Sequence, residues 1–262
     1  NSINYNYWWI KFWRNSCNYI YFNNNQATNT INQQTNDQQQ IIFNEEKAQE
    51  IKKKADEGDI ESMKNYAIML FVGVSENKQE SLNYFKFASD KGDIESTFML
   101  GAIFNFGEEI PSNKSESSVY FKLAVDQDHI ESIIKYANML YEGDGIKINK
   151  KESSDYFKLT ADQSHIESII KYAKMLQKGN GFAKNTIKAS EYYKETADQD
   201  HDESMYEYGR ILFRGEGITK NKEEAARHFK LSIKQGNAKP MYNYATMLKK
   251  GDGIEQNSEE AS

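Results

Sequence analysis

From about residue 44 onward the chain carries two alternating kinds of apolar stripe. In HIESIIKYANMLYEG (129–143), Ser132, Tyr136 and Leu140 fall four residues apart with Ile133 and Ala137 beside them, which makes one helix face apolar. In KESSDYFKLTADQ (151–163), Ser153, Phe157, Thr160 and Ala161 form a second such stripe. Neither helix can bury its stripe alone, so the pattern predicts an antiparallel pair. The segment between them, GDGIKIN (143–149), supplies two glycines able to take the positive φ that ends a helix, and Ile146 to plug the gap. Asn149 then offers a side-chain acceptor to the next helix, and Glu152 completes a capping-box-like pair worth on the order of 1 kcal/mol. The same Asn-x-x-Glu recurs at Asn77/Glu80, Asn113/Glu116, Asn221/Glu224 and Asn257/Glu260, whereas Asn185 meets Lys188.

The pair is one unit of a repeat. Gly73, Gly107, Gly143, Gly179, Gly215 and Gly251 are separated by 34 and then by 36 residues each time, and Tyr66, Leu100, Tyr136, Tyr172, Tyr208 and Tyr244 keep that spacing. All 15 glycines fall in repeat positions: turns, ends of second helices, or the small-residue position filled by Gly101 and Gly209. No glycine remains for a phosphate-binding loop. The predicted fold class is all-α, a solenoid of antiparallel helix pairs.

These units resemble the Sel-1-like repeats, a tetratricopeptide-like family with a small residue, a Leu-Gly pair, a Gly-x-Gly turn and an aromatic-rich second helix. The segment SMYEYGRILFRGEGITKNKEEAARHFKLSIKQGN (204–237) shows Tyr208-Gly209, Gly215-x-Gly217-Ile218, Ala225 and Phe229 at the matching places. The resemblance covers about 44–262. It departs where tyrosine replaces the leucine of the pair, where Asp128, Ser164 and Asp200 replace the glycine closing the second helix, where the first unit is two residues short around Gly73, and where Glu109 replaces a turn glycine. The resemblance implies a right-handed superhelical solenoid acting as a non-catalytic scaffold or adaptor for protein partners held in a concave groove. The alternative is a regulatory or recognition segment of a larger signalling protein such as a protein kinase, and an enzyme is a distant third.

Composition narrows the setting. Of 262 residues 38% are hydrophobic, and 33 basic against 39 acidic residues leave a net charge of −6, which argues against nucleic acid as a partner. The single cysteine, Cys17, forms no internal disulfide, and no apolar run is long enough for a membrane span. Residues 1–43 hold 11 asparagines, 6 glutamines and all three tryptophans with only Lys11, Arg14 and Asp37 charged, and are expected to be a disordered tail ahead of a 44–262 solenoid. The chain opens on asparagine and stops at Ser262 inside an expected second helix, so it reads as a fragment whose targeting signal is missing. The expected compartment is the cytoplasm.

Candidate chemistry is sparse. His129, His165 and His201 sit one repeat apart, too far for shared metal ligation, in the position that Asp59, Asp93 and Asn237 fill elsewhere, so they are expected to cap first helices. Glu61, Glu95, Glu131, Glu167 and Glu203 form a register-matched row at helix starts, where the dipole favours negative charge. No catalytic, cofactor or metal residue is expected. The first-helix positions that vary between units are the candidate partner-binding residues: Asn138, Tyr141, Lys174, Gln177, Arg210, Phe213 and Arg214. Together they suggest a groove that grows basic toward the C-terminal end and suits an acidic-hydrophobic protein segment.

Overall fold

A computed structural model of the chain describes residues 46–72, 77–107 and 110–260. The expected tail over 1–43, Gly73 and Glu109 lie outside them. Among the described residues there are twelve helices and no strand. They are α1 (46–56), α2 (Ile60–Val72), α3 (Lys78–Asp90), α4 (Ile94–Phe106), α5 (Lys114–Val125), α6 (Ile130–Glu142), α7 (Lys150–Ala161), α8 (Ile166–Lys178), α9 (Thr186–Ala197), α10 (Asp202–Arg214), α11 (Lys222–Lys234) and α12 (Met241–Lys250). The chain forms two compact units: the first runs to Ile103 and takes in Gly107–Pro111, and the second comprises Phe104–Phe106 and the chain from Ser112 onward.

In the first unit α2 packs on α3, with Tyr66 edge-on to Tyr84 at 4.9 Å and the Ser81 hydroxyl donating to the Ala67 carbonyl at 2.7 Å. Helix α1 is followed by a turn at Gly58 as α3 is by one at Gly92, but places Lys47 and Lys54 where α3 has the buried Ser81 and Ala88. Lys54 is 55% exposed, so α1 presents a charged face where later second helices present a core-facing one.

In the second unit each helix from α5 to α12 packs on the next. Phe121, Phe157, Tyr193 and Phe229 occupy one position of successive second helices and are all fully buried. Opposite them Ala137, Ala173 and Gly209 are small because the helices approach closely: a Cβ on Gly209 would lie 2.9 Å from the Phe229 ring. Tyr193 adds a hydroxyl to a site that otherwise takes phenylalanine, and that hydroxyl has no hydrogen-bond partner among the described residues. Burial pushes its pKa up.

Helix ends follow the sequence closely. Asn149 Oδ1 accepts from the Glu152 amide at 3.2 Å while its Nδ2 donates to the Glu152 carboxylate at 2.8 Å. Asn185 caps through the Lys188 amide alone, at 2.9 Å. The first turn glycines, such as Gly143 at φ 78°, end first helices in the left-handed region, and the Asn149 amide returns to the Leu140 carbonyl at 2.9 Å. Asp128, Ser164 and Asp200 take the positive φ of the glycines they replace. The second turn glycine does something the periodicity does not reveal. At Gly181 a Cβ would fall 2.5 Å from the Lys150 carbonyl oxygen, so this turn rests directly on the backbone opening the preceding second helix. One expected cap is corrected: Asn237 does not open the last first helix. Its side chain accepts from the Lys239 amide, and α12 starts after Pro240, which has no side-chain cap.

Candidate functional site

The first helices of the second unit, α6, α8, α10 and α12, are alike where they pack and different along one row. Each of α6, α8 and α10 is opened by a histidine whose Nδ1 accepts from a serine amide: His129 from Ser132 at 3.3 Å, His165 from Ser168 and His201 from Ser204 at 3.4 Å. Among the described residues no group of three or more His, Cys, Asp or Glu side chains is placed to hold a metal ion. His228 is a packed ring, buried and edge-on to Tyr208 at 5.0 Å. Burial, and then the adjacent Arg227 guanidinium, push its pKa down.

The seven variable residues lie along α6, α8 and α10 in differing surroundings. Asn138 is half-buried, donating to the Ile134 carbonyl at 2.8 Å and accepting from Lys171 at 3.3 Å. The Tyr141 hydroxyl accepts from Asn180 at 2.7 Å, and its ring lies 5.4 Å from the Lys150 ammonium. Gln177 is buried, and its Nε2 has no hydrogen-bond partner among the described residues. Phe213 is half-buried against the core, 6.5 Å from the Phe229 ring, so it shares in packing as well as in the surface.

The three cations of the row are ion-paired within the protein. Lys174 meets Glu203 at 3.0 Å, Arg210 places two nitrogens on Glu207 at 2.8 and 3.0 Å, and Arg214 meets Glu216 at 3.1 Å. Glu203 also takes Lys239 at 3.0 Å. Burial works against its ionised form, but the two lysines outweigh it and hold its pKa below the usual carboxylate value. The basic end anticipated from sequence is therefore a set of ion pairs, in which only Arg214, 55% exposed, is largely in solvent. Sequence reading placed Glu203 correctly near a helix start but missed it as a partner, because pairs between repeats depend on side-chain reach and not on register. It also passed over Lys135 and Lys171, which keep the same position in two successive units. Beside Lys171, a cavity of about 370 Å³ opens between α8 and α10, lined by Ile166, Ile170, Lys174 and Glu203 among others.

A family model described as Sel1 repeat matches residues 60–93, 94–129, 130–165, 166–201, 202–237 and 241–261. The chain belongs to the Sel1 repeat family. Among solved structures, this Sel1 repeat chain is similar to the protective antigen c5321 of uropathogenic Escherichia coli strains, which displays an SLR fold. The TM-score is 0.73 with 23% identity, over 82% of this chain and 46% of that one. It is also similar to a Sel1 repeat protein from Oxalobacter formigenes, with a TM-score of 0.62 and 22% identity over 78% of this chain and 84% of that one. The chain thus spans less than half the length of the Escherichia coli antigen. No curated protein matches it. The fold is an all-α repeat solenoid, and Sel1 repeats are commonly non-catalytic scaffolds for protein interaction. Among the described residues no helix is long and apolar enough to cross a membrane.

Proposed function

We propose that the first-helix face of α6, α8 and α10 is the partner-binding surface of a non-catalytic adaptor, engaging an acidic-hydrophobic segment of another protein. The observation that carries this reading is the contrast within each first helix. The packing positions keep their size and apolar or small character from unit to unit, as at Ser132, Ser168 and Ser204 or Leu140, Leu176 and Leu212, while the row Asn138, Tyr141, Lys174, Gln177, Arg210, Phe213, Arg214 changes and presents polar groups beside aromatic rings. Aromatic rings with paired charges around them suit a segment held by apolar anchors and steered by charge. Because Lys174 and Arg210 already have internal partners, an arriving carboxylate must share or displace these pairs, so charge contributes to association more than to final affinity.

The test uses the full chain and a partner isolated by affinity capture. Arg214→Glu is expected to slow association and weaken its salt dependence, while Tyr141→Ala speeds release by an amount corresponding to about 1–3 kcal/mol. Thermal midpoints measured alongside separate binding from packing. Normal kinetics in both variants, with binding abolished by Lys158→Glu on a second helix, would move the partner to the other surface.

A further inference from the structure

Four lysine and arginine side chains on the first helices of the second unit are half-buried: Lys174 and Arg210 each have a carboxylate, and Lys135 and Lys171 have no ion pair among the described residues. Lys135, on α6, is half-buried and has no hydrogen bond or ion pair among the described residues. Burial pushes its pKa down, opposed by the field of Glu167 on α8, to which no ion pair joins it. Lys171, on α8, makes one bond, to the neutral Asn138 Oδ1 at 3.3 Å, although an ammonium group has three donors. Asn138 stands three residues after Lys135, hence one turn along the same helix face, so both lysines border it. A half-buried ammonium without an ion pair loses hydration and recovers little attraction, here only the field of Glu167 on Lys135 and the Asn138 amide oxygen on Lys171, an imbalance that an incoming anion reduces.

The surroundings say what kind of anion. Lys171 also lines the cavity between α8 and α10, whose wall joins Ile170 and Ile166, the latter 37% exposed, to Glu167, His201 and the Lys174–Glu203 ion pair. With Lys174 paired to Glu203, Lys135 and Lys171 against Glu167 leave one positive charge in excess beside two isoleucines. That fits a carboxylate and an aliphatic or aromatic side chain close together on one chain, a combination that a free inorganic anion does not offer. We propose that Lys135 and Lys171 receive an Asp or Glu side chain of an acidic-hydrophobic segment of a partner protein, whose neighbouring apolar side chain enters the cavity beside Ile166 and Ile170. This rests on the first-helix face being the binding surface, and shifts the main charged contact from the already paired Lys174, Arg210 and Arg214 to Lys135 and Lys171.

The test pans a display library of random peptides about twelve residues long against the full chain. Selected peptides are expected to be rich in Asp or Glu next to Leu, Ile or Phe. Made synthetically, they should bind the Lys135→Met/Lys171→Met variant at least about tenfold more weakly than wild type. The Lys135→Glu/Lys171→Glu variant, offered the same library, should select basic peptides instead, which guards against loss of binding through misfolding. Peptides without acidic enrichment, or bound equally by wild type and the methionine variant, overturn this inference and leave the adaptor reading standing; the second outcome would mean that Lys135 turns to Glu167 on binding. A library that yields no binder, or only binders abolished by Lys158→Glu, overturns both.

Discussion

Phe157→Ala is expected to destabilise the second unit by about 3–5 kcal/mol, the usual range for removing a fully buried ring. The side chain is 1% exposed and belongs to the same core as Ala137, Ile170, Ala173 and Tyr193, so its loss leaves a hollow between consecutive units. Small residues cannot collapse into it, because Ala137 and Ala173 sit on helices held in place by their own caps and turns. In a solenoid each unit is stabilised by its neighbours, so the damage should spread to α6 and α8 before α11 and α12. Denaturant unfolding followed by circular dichroism measures it; a loss below about 1 kcal/mol would contradict the packing described.

Gly181→Ala should be nearly as harmful for a different reason. The residue has φ +91°, where a side chain costs roughly 1–2 kcal/mol. Its new Cβ would also lie 2.5 Å from the Lys150 carbonyl oxygen, 2.7 Å from the Lys150 carbonyl carbon and 2.9 Å from the Lys151 amide nitrogen. Those atoms are backbone and cannot step aside as a side chain could. The expected loss is about 3 kcal/mol or more. Gly236→Ala is the control, since φ there is +90° but nothing lies within 4 Å of the added carbon, so only the backbone term applies. Equal losses at the two positions, read from thermal unfolding, would remove the contact between turn and preceding helix from the account.

Much of this architecture was legible because a repeat states each rule several times. A lone Asn-x-x-Glu is weak evidence of a cap, but five copies in register, followed by a glycine-bearing turn, leave few other folds. Even the odd members behaved: Asn185 caps without a glutamate, and Asp128, Ser164 and Asp200 accept the left-handed backbone of glycine. What register does not encode is where side chains end. Lys174 and Glu203 lie in different positions of different units, and only the packing of α8 against its neighbours brings them to 3.0 Å. Lys135 looks like any surface lysine in sequence, and its half-burial without an ion pair among the described residues emerges only in three dimensions. Asn237 failed as a cap because Pro240 displaces the start of α12, a local event that overrides the period. The second turn glycine was read for its φ alone, though the backbone it rests on belongs to the previous unit.

The claim on which the functional reading depends is that partners engage the first-helix face. Photo-crosslinking tests it most directly, with benzoylphenylalanine placed one position at a time at the exposed Lys178 and Arg214 of α8 and α10, and at the exposed Val119 and Leu159 of α5 and α7. The account predicts covalent partner adducts from Lys178 and Arg214 and none from Val119 or Leu159. Adducts confined to Val119 and Leu159 would contradict it.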